Sequence, residues 1–166
     1  MSDDKRHALA DIERIAREVA TTLGLEIVEF VFRSQGKHSL LRIDIDRPGL
    51  PGVGLADCEQ LSRALGDRIE DLSFFEAAYD LQVSSPGLDR PIRTDDDLRR
   101  NAGRPVRVEF RDEHEKVREI HGTLAAPVSA EAVSVVGPEG ETRVARERIV
   151  LMKQDVIPGG RKRKDA

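Results

Sequence analysis

Apolar residues recur at helical spacing near the start of the chain: Ile12, Ile15, Ala16, Val19, Ala20 and Leu23 follow the i, i+3, i+4, i+7 rule. That spacing predicts an amphipathic helix over residues 5–23, with Gly24 as its C-terminal stop. The period then changes to two. Glu26 to Arg33 reads as a strand with Val28, Phe30 and Phe32 on one face. Ser34-Gln35-Gly36-Lys37-His38 suits a hairpin loop. Ser39 to Asp46 returns as a second strand, Leu41, Ile43 and Ile45 inward against Arg42, Asp44 and Asp46 outward. Arg47-Pro48-Gly49-Leu50-Pro51-Gly52-Val53-Gly54 is too rich in Pro and Gly for regular structure. Cys58, Leu61, Leu65, Ile69 and Leu72 then mark a second helix, and Tyr79, Leu81 and Val83 alternate with Asp80 and Gln82 in a third strand. The order is α-β-β-α-β, KH-like in outline, with a helical crossover between the second and third strands. A two-layer α/β domain is the simple packing solution.

Beyond residue 91 nearly all the periodicity is that of strands. Thr94-Asp95-Asp96-Asp97 is a helix start, a capping Thr followed by acids where the helix dipole favours them. Consecutive acids on a helix point apart, so capping explains them better than a metal site. Leu98-Arg99-Arg100-Asn101-Ala102-Gly103 ends the helix within a turn or two. Five short strands follow: Pro105–Arg111 with Val106, Val108 and Phe110 inward, Glu119–Leu124 with Ile120, Gly122 and Leu124 on one side, Ala132–Val136, Thr142–Arg146 and Ile149–Lys153. Gly137-Pro138-Glu139-Gly140 turns the third into the fourth. This pattern predicts a small β-barrel of the Sm/SH3-like type. The fold class is therefore α+β, with an N-terminal α/β domain over 1–91, a C-terminal barrel over 92–155 and a basic tail over 156–166. The tail's composition predicts disorder.

Composition narrows the setting. A hydrophobic fraction of 39% and a charged fraction of 35% fit a soluble, folded protein with a wet surface. No apolar run approaches the roughly 18–20 residues of a membrane span, and Met1-Ser2-Asp3-Asp4 is too acidic for a signal peptide. A cytoplasmic protein without membrane contact is expected. The single Cys58 lies on the apolar face of the second helix and reads as a small buried hydrophobe. The net charge of −4 is unevenly spread. Residues 1–91 carry 11 Lys/Arg against 17 Asp/Glu, a net of −6; residues 92–166 carry 16 against 14, a net of +2. The acidic half could attract a basic protein, and the other half could lie near phosphates.

Spacings that carry chemistry are missing. His7, His38, His114 and His121 are scattered without zinc-site spacing. Ser84 and Ser85 lack the glycines of a nucleophile elbow and a nearby His, and no phosphate-binding loop with Gly-Lys-Ser/Thr occurs. Gly52-Val53-Gly54 resembles part of a dinucleotide fingerprint, but Asp57 stands at the third glycine position and would set a negative charge near a pyrophosphate. Gly49-Leu50-Pro51-Gly52 matches the GXXG pattern of a KH loop, although Leu-Pro offers one fewer N–H and no positive charge. The expectation is no enzyme, no metal and no cofactor.

Two groups of residues are candidates for binding. The first is Ser84, Ser85, Pro86, Gly87, Leu88, Asp89, Arg90 and Pro91. Pro86 keeps Ser85 out of the helical region, Pro86-Gly87 suits the centre of a type II turn, and Pro91 restrains Arg90. The residues between the prolines have little backbone freedom left, which favours presenting them to a partner. The plainer reading is an interdomain linker in which Asp89 and Arg90 pair with each other. The second group, candidate RNA contacts, is Arg107, Arg111, Arg118, Arg143, Arg146 and Arg148, with Arg161, Lys162, Arg163 and Lys164 in the tail. Glu109, Glu119 and Glu147 are interleaved with these arginines, which also suits an ordinary charged strand surface, and no aromatics lie among them to stack bases.

The run Ser84-Ser85-Pro86-Gly87-Leu88-Asp89-Arg90-Pro91, preceded by its strand, resembles the signature of the ribosome maturation factor RimP family. Gln82 stands where the family commonly has an acid, Ile92 where it commonly has Leu, and Leu98 where it often has Phe. Gly103-Arg104-Pro105-Val106 and Gly122-Thr123-Leu124 also look like family positions. The resemblance implies an Sm-like second domain and an assembly factor that binds the immature small ribosomal subunit. It implies contact with ribosomal RNA and the decoding-centre ribosomal protein, with no small-molecule substrate and no catalysis. Alternating strand charges argue for a monomer. The alternatives are a general RNA-binding module acting on free RNA, KH-like half joined to Sm-like half, and a protein-only adaptor.

Overall fold

A computed structural model describes residues 3–35, 38–70 and 79–156. The expected hairpin tip at Gly36-Lys37, the helix position Leu72 and the tail cations Arg161, Lys162, Arg163 and Lys164 lie outside the described residues. The chain divides into two compact units, Met1–Arg47 with Gly52–Pro86, and Pro48–Pro51 with Gly87–Ala166. No helix among the described residues is long and apolar enough to cross a membrane.

In the first unit, α1 (Asp3–Thr22) buries Ile12, Ala16 and Ala20, one residue per turn along a single face. Its opposite face is laced by Glu13–Arg17 and Arg14–Glu18 pairs four residues apart. Gly24, at φ +68°, ends it, and the Leu25 N–H donates to the Ala20 carbonyl. β1 (Glu26–Gln35) and β2 (His38–Asp46) pair antiparallel, and β3 (Tyr79–Ser84) lies parallel to β2, giving the order β1-β2-β3. α2 (Leu55–Glu70) is the crossover that this parallel pair requires. Cys58, Leu61, Leu65 and Ile69 of α2 share a core with Leu41, Ile43 and Ile45 of β2 and the apolar face of α1.

Three details differ from expectation. The hairpin arms are longer than predicted, since Ser34 still pairs with Ser39 and Gln35 with His38. In β1 the buried residue is Ile27, not Val28, because a bulge between Ile27 and Glu29 inserts one extra residue and resets the alternation. Phe30 and Phe32 then pack on the core as the period demands. In β2, Asp44 and Asp46 are not solvent-facing: Asp44 is 1% exposed. Its charge is met by Arg42, whose Nε and Nη2 reach the two carboxylate oxygens at 3.0 and 2.8 Å.

In the second unit, Thr94 caps α3 (Asp95–Asn101) in a reciprocal capping box with Asp97. β4 (Pro105–Arg111), β5 (Val117–Leu124), β6 (Ala132–Gly137), β7 (Gly140–Ala145) and β8 (Ile149–Gln154) form one antiparallel sheet in the order β7-β6-β5-β4-β8. β7 starts earlier than predicted because Pro138-Glu139 alone makes the turn. Arg146 falls in a 3-10 turn, Arg146–Arg148, and not in the strand. Val106, Val108, Leu124, Val133, Val135, Val144 and Met152 make the core together with Ile92 and with Leu98 of α3. Where β5 meets β6, a Cβ on Gly122 would lie 2.7 Å from the Val136 carbonyl carbon, so only glycine fits.

Candidate functional site

Ser84 closes β3, Ser85 is exposed, and Gly87 adopts φ +76°, which a side chain would strain. The hydrogen-bonded turn comes later than the sequence suggests: the Arg90 N–H donates to the Gly87 carbonyl at 3.4 Å, with Leu88-Asp89 at its centre. The chain is then stitched to β8. Pro91 bridges Lys153, and the Ile92 N–H donates to the Met152 carbonyl at 2.8 Å.

Asp89 and Arg90 each meet a charge outside the segment. Lys153 Nζ lies 3.5 Å from Asp89 Oδ1, while Arg90 Nη2 lies 3.7 Å from Asp97 Oδ1. Asp97 is the hub of this arrangement. Its Oδ2 accepts the Arg93 and Thr94 N–H groups at 3.2 and 3.0 Å, and its Oδ1 receives Arg100 Nη2 at 2.7 Å. Burial alone would push this carboxyl up, but the Thr94 and Arg93 amides and the Arg100 charge outweigh it and hold it below the ordinary carboxylate value. Asp97, Arg100 and Lys153 were not among the sequence candidates. Only the capping pattern at Thr94 pointed toward Asp97; nothing local marks Lys153, which is 64 residues from its partner.

Outward from the segment stand Ser84, Ser85, Leu88, 49% exposed, and the carboxylate of Asp89, whose contact with Lys153 is long at 3.5 Å. From Pro91 on the main chain is tied to β8, which leaves little freedom to the residues just before it.

The candidate RNA-contacting arginines fall into two classes. Arg107 pairs with Glu109 and Glu119 at 3.5 and 3.7 Å, Arg118 with Asp112 at 2.8 Å, and Arg146 with Asp95 at 2.6 Å. Arg111 donates to the Glu115 carbonyl at 3.5 Å. Arg143 and Arg148 are exposed and have no ion pair among the described residues. Beside Arg107, His121 bridges two carboxylates, Nδ1 to Asp155 at 2.6 Å and Nε2 to Glu119 at 2.8 Å. The hydrogen bond to Asp155, then that to Glu119, raises the imidazole above its ordinary value of 6.5.

The two motif-like loops of the first half are committed elsewhere. Asp57 Oδ2 accepts the Gly54 N–H at 2.8 Å and its Oδ1 receives Arg47 at 2.6 Å, so a carboxylate occupies the place a pyrophosphate would need. The Gly49 N–H donates to the Arg100 carbonyl at 3.0 Å, and Arg104 Nε donates to the Gly49 carbonyl at 2.7 Å. Among the described residues no group of three or more His, Cys, Asp and Glu side chains is placed to hold a metal ion.

Residues 15–89 match the family model of the RimP N-terminal domain. The chain therefore contains an N-terminal domain of that family, ending within the Ser84–Pro91 segment.

Proposed function

We propose that this protein is a ribosome assembly factor of the cytoplasm, which binds the immature small ribosomal subunit and assists its maturation without catalysing a reaction. The observation that carries this reading is the RimP N-terminal domain over residues 15–89. The strand order β7-β6-β5-β4-β8, the 3-10 turn before the last strand and the close approach at Gly122 support an Sm/SH3-like barrel for the second unit. Together these suit an α/β domain over 1–91, a barrel over 92–155 and a basic tail beyond it.

The acidic first domain complements a basic ribosomal protein, the one at the decoding centre, and steers its approach. The Ser84–Pro91 segment, held by Lys153 and by Asp97, sets the geometry of docking with Asp89 and Leu88 foremost. Arg143 and Arg148, with the tail cations, supply contacts to ribosomal RNA. Arg107, Arg118 and Arg146 have carboxylate partners at 2.6–3.7 Å, which favours this division of labour over a general RNA-binding surface.

Sedimentation of cell extract through a sucrose gradient tests the reading. The protein is expected with free small subunits and absent from translating ribosomes. Co-migration with translating ribosomes, or with neither, would contradict it.

A further inference from the structure

β8 is an edge strand used on only part of its length. β4 pairs along one side of it. On the other side Pro91 and Ile92 run antiparallel to Lys153 and Met152, covering its C-terminal half alone. Ile149, Val150 and Leu151 have no strand beside them on that edge among the described residues. A register shift opposite Glu109 and Phe110 displaces Val150, leaving it 51% exposed. Unpaired edges of this kind are templates for another chain.

The same stretch lines a cavity of about 250 Å³ together with Leu98 and Pro91–Arg93. The lining is apolar apart from two guanidinium side chains, Arg93 and Arg146, and includes no carboxylate. Arg146 is steadied by Asp95 at 2.6 Å and the Ala130 carbonyl at 3.3 Å, whereas Arg93 is exposed. No aromatic ring lines the cavity to stack a base.

We propose that the outward edge of β8 takes an extended peptide segment of a partner protein that carries apolar and acidic residues in turn along one face. It adds as a strand beside Ile149–Leu151 with that face toward the cavity, its apolar side chains entering and its carboxylates meeting Arg93 and Arg146. Strand addition draws affinity from main-chain hydrogen bonds and specificity from alternate side-chain pockets, and this edge offers both. The chain supplies its own precedent, since Ile92 already donates to Met152 in that manner. The charge required of this partner is opposite to that of a basic ribosomal protein, so the surface is additional to the docking segment and independent of it.

Fluorescence anisotropy with the full chain tests this, using a labelled peptide of repeated Val-Thr-Glu-Thr, which sets valine and glutamate in turn on one face. A valine–lysine peptide and an oligouridylate serve as competing probes. Saturable binding of the acidic peptide alone is expected. Val150→Glu and Arg93→Glu should each weaken it about tenfold or more, the first by opposing the carboxylates at the edge and the second by reversing the attracting charge. Both positions are exposed, so melting temperatures should stay within about 2 °C of the parent. Four results would overturn the proposal: no saturable binding of the acidic peptide at millimolar concentration, equal binding of the basic one, displacement of the acidic peptide by oligouridylate, or unchanged affinity in both variants.

Discussion

Replacing Asp97 by Asn keeps the outline of the side chain and removes the charge on which donors from three places converge. The carboxylate is 5% exposed and serves the Arg93 and Thr94 amides, Arg100 at 2.7 Å and Arg90 at 3.7 Å. Asn offers one acceptor and turns an N–H₂ toward groups that are themselves donors. The Arg100 guanidinium, only 8% exposed, keeps its charge without this carboxylate. Removing one member of a buried pair costs about 3–5 kcal/mol, and loss of a helix cap about 1 kcal/mol. Arg100 and Arg90 make further contacts, which lowers the figure. We expect about 2–4 kcal/mol, which for a unit of this size lowers the melting temperature by roughly 10–25 °C. Asp96→Asn is the control, since Asp96 is exposed and its Arg99 contact is 3.5 Å, so it should cost under about 0.5 kcal/mol. The pH dependence has a fixed sign. Asp97 is held below its ordinary 3.8, so its stabilisation is present above that value and lost as pH falls through the lower folded-state value. Calorimetry of the intact chain at neutral and acid pH reads both effects. If Asp97→Asn melted within about 2 °C of Asp96→Asn at neutral pH, the hub would be misjudged.

Gly122→Ala should destabilise the second unit by about 1–3 kcal/mol, because the added methyl meets the Val136 main chain and β5 must part from β6; a melting temperature within error of the parent would refute that packing. His121 contributes stability that is fully present below its ordinary 6.5 and is lost as pH rises through the raised folded value. The parent should therefore decline in melting temperature above neutrality and a His121→Gln chain should not; a decline that persists in the variant would point to another group. Asp89→Ala and Arg90→Ala should both fold, yet bind small subunits more weakly. Unchanged affinity with unchanged melting would remove both from the docking surface.

Elements resting on local period were legible from the chain. Leu41, Ile43 and Ile45 are all fully buried, the apolar face of α2 is as read, and Thr94 caps α3. The misses share a cause: they depend on residues distant in sequence. A bulge has no signature in β1 because Val28 is as apolar as Ile27 before it. Alternation placed Asp44 and Asp46 outward, and period alone carries no information on what covers a sheet's second face. For the docking segment, two prolines announced stiffness, but the pairing of Asp89 with Lys153 and Arg90 with Asp97 came only with the fold. Adjacent opposite charges invite a local pair, and here each found a partner on a different element.

The central claim is docking on an unfinished small subunit, and binding of the purified protein to small subunits isolated at immature and mature stages tests it most directly. The account predicts tighter binding to the immature particle, with only modest weakening as salt is raised from low to physiological concentration. Equal affinity for both particles, or binding to any unrelated RNA that collapses steeply with salt, would contradict it.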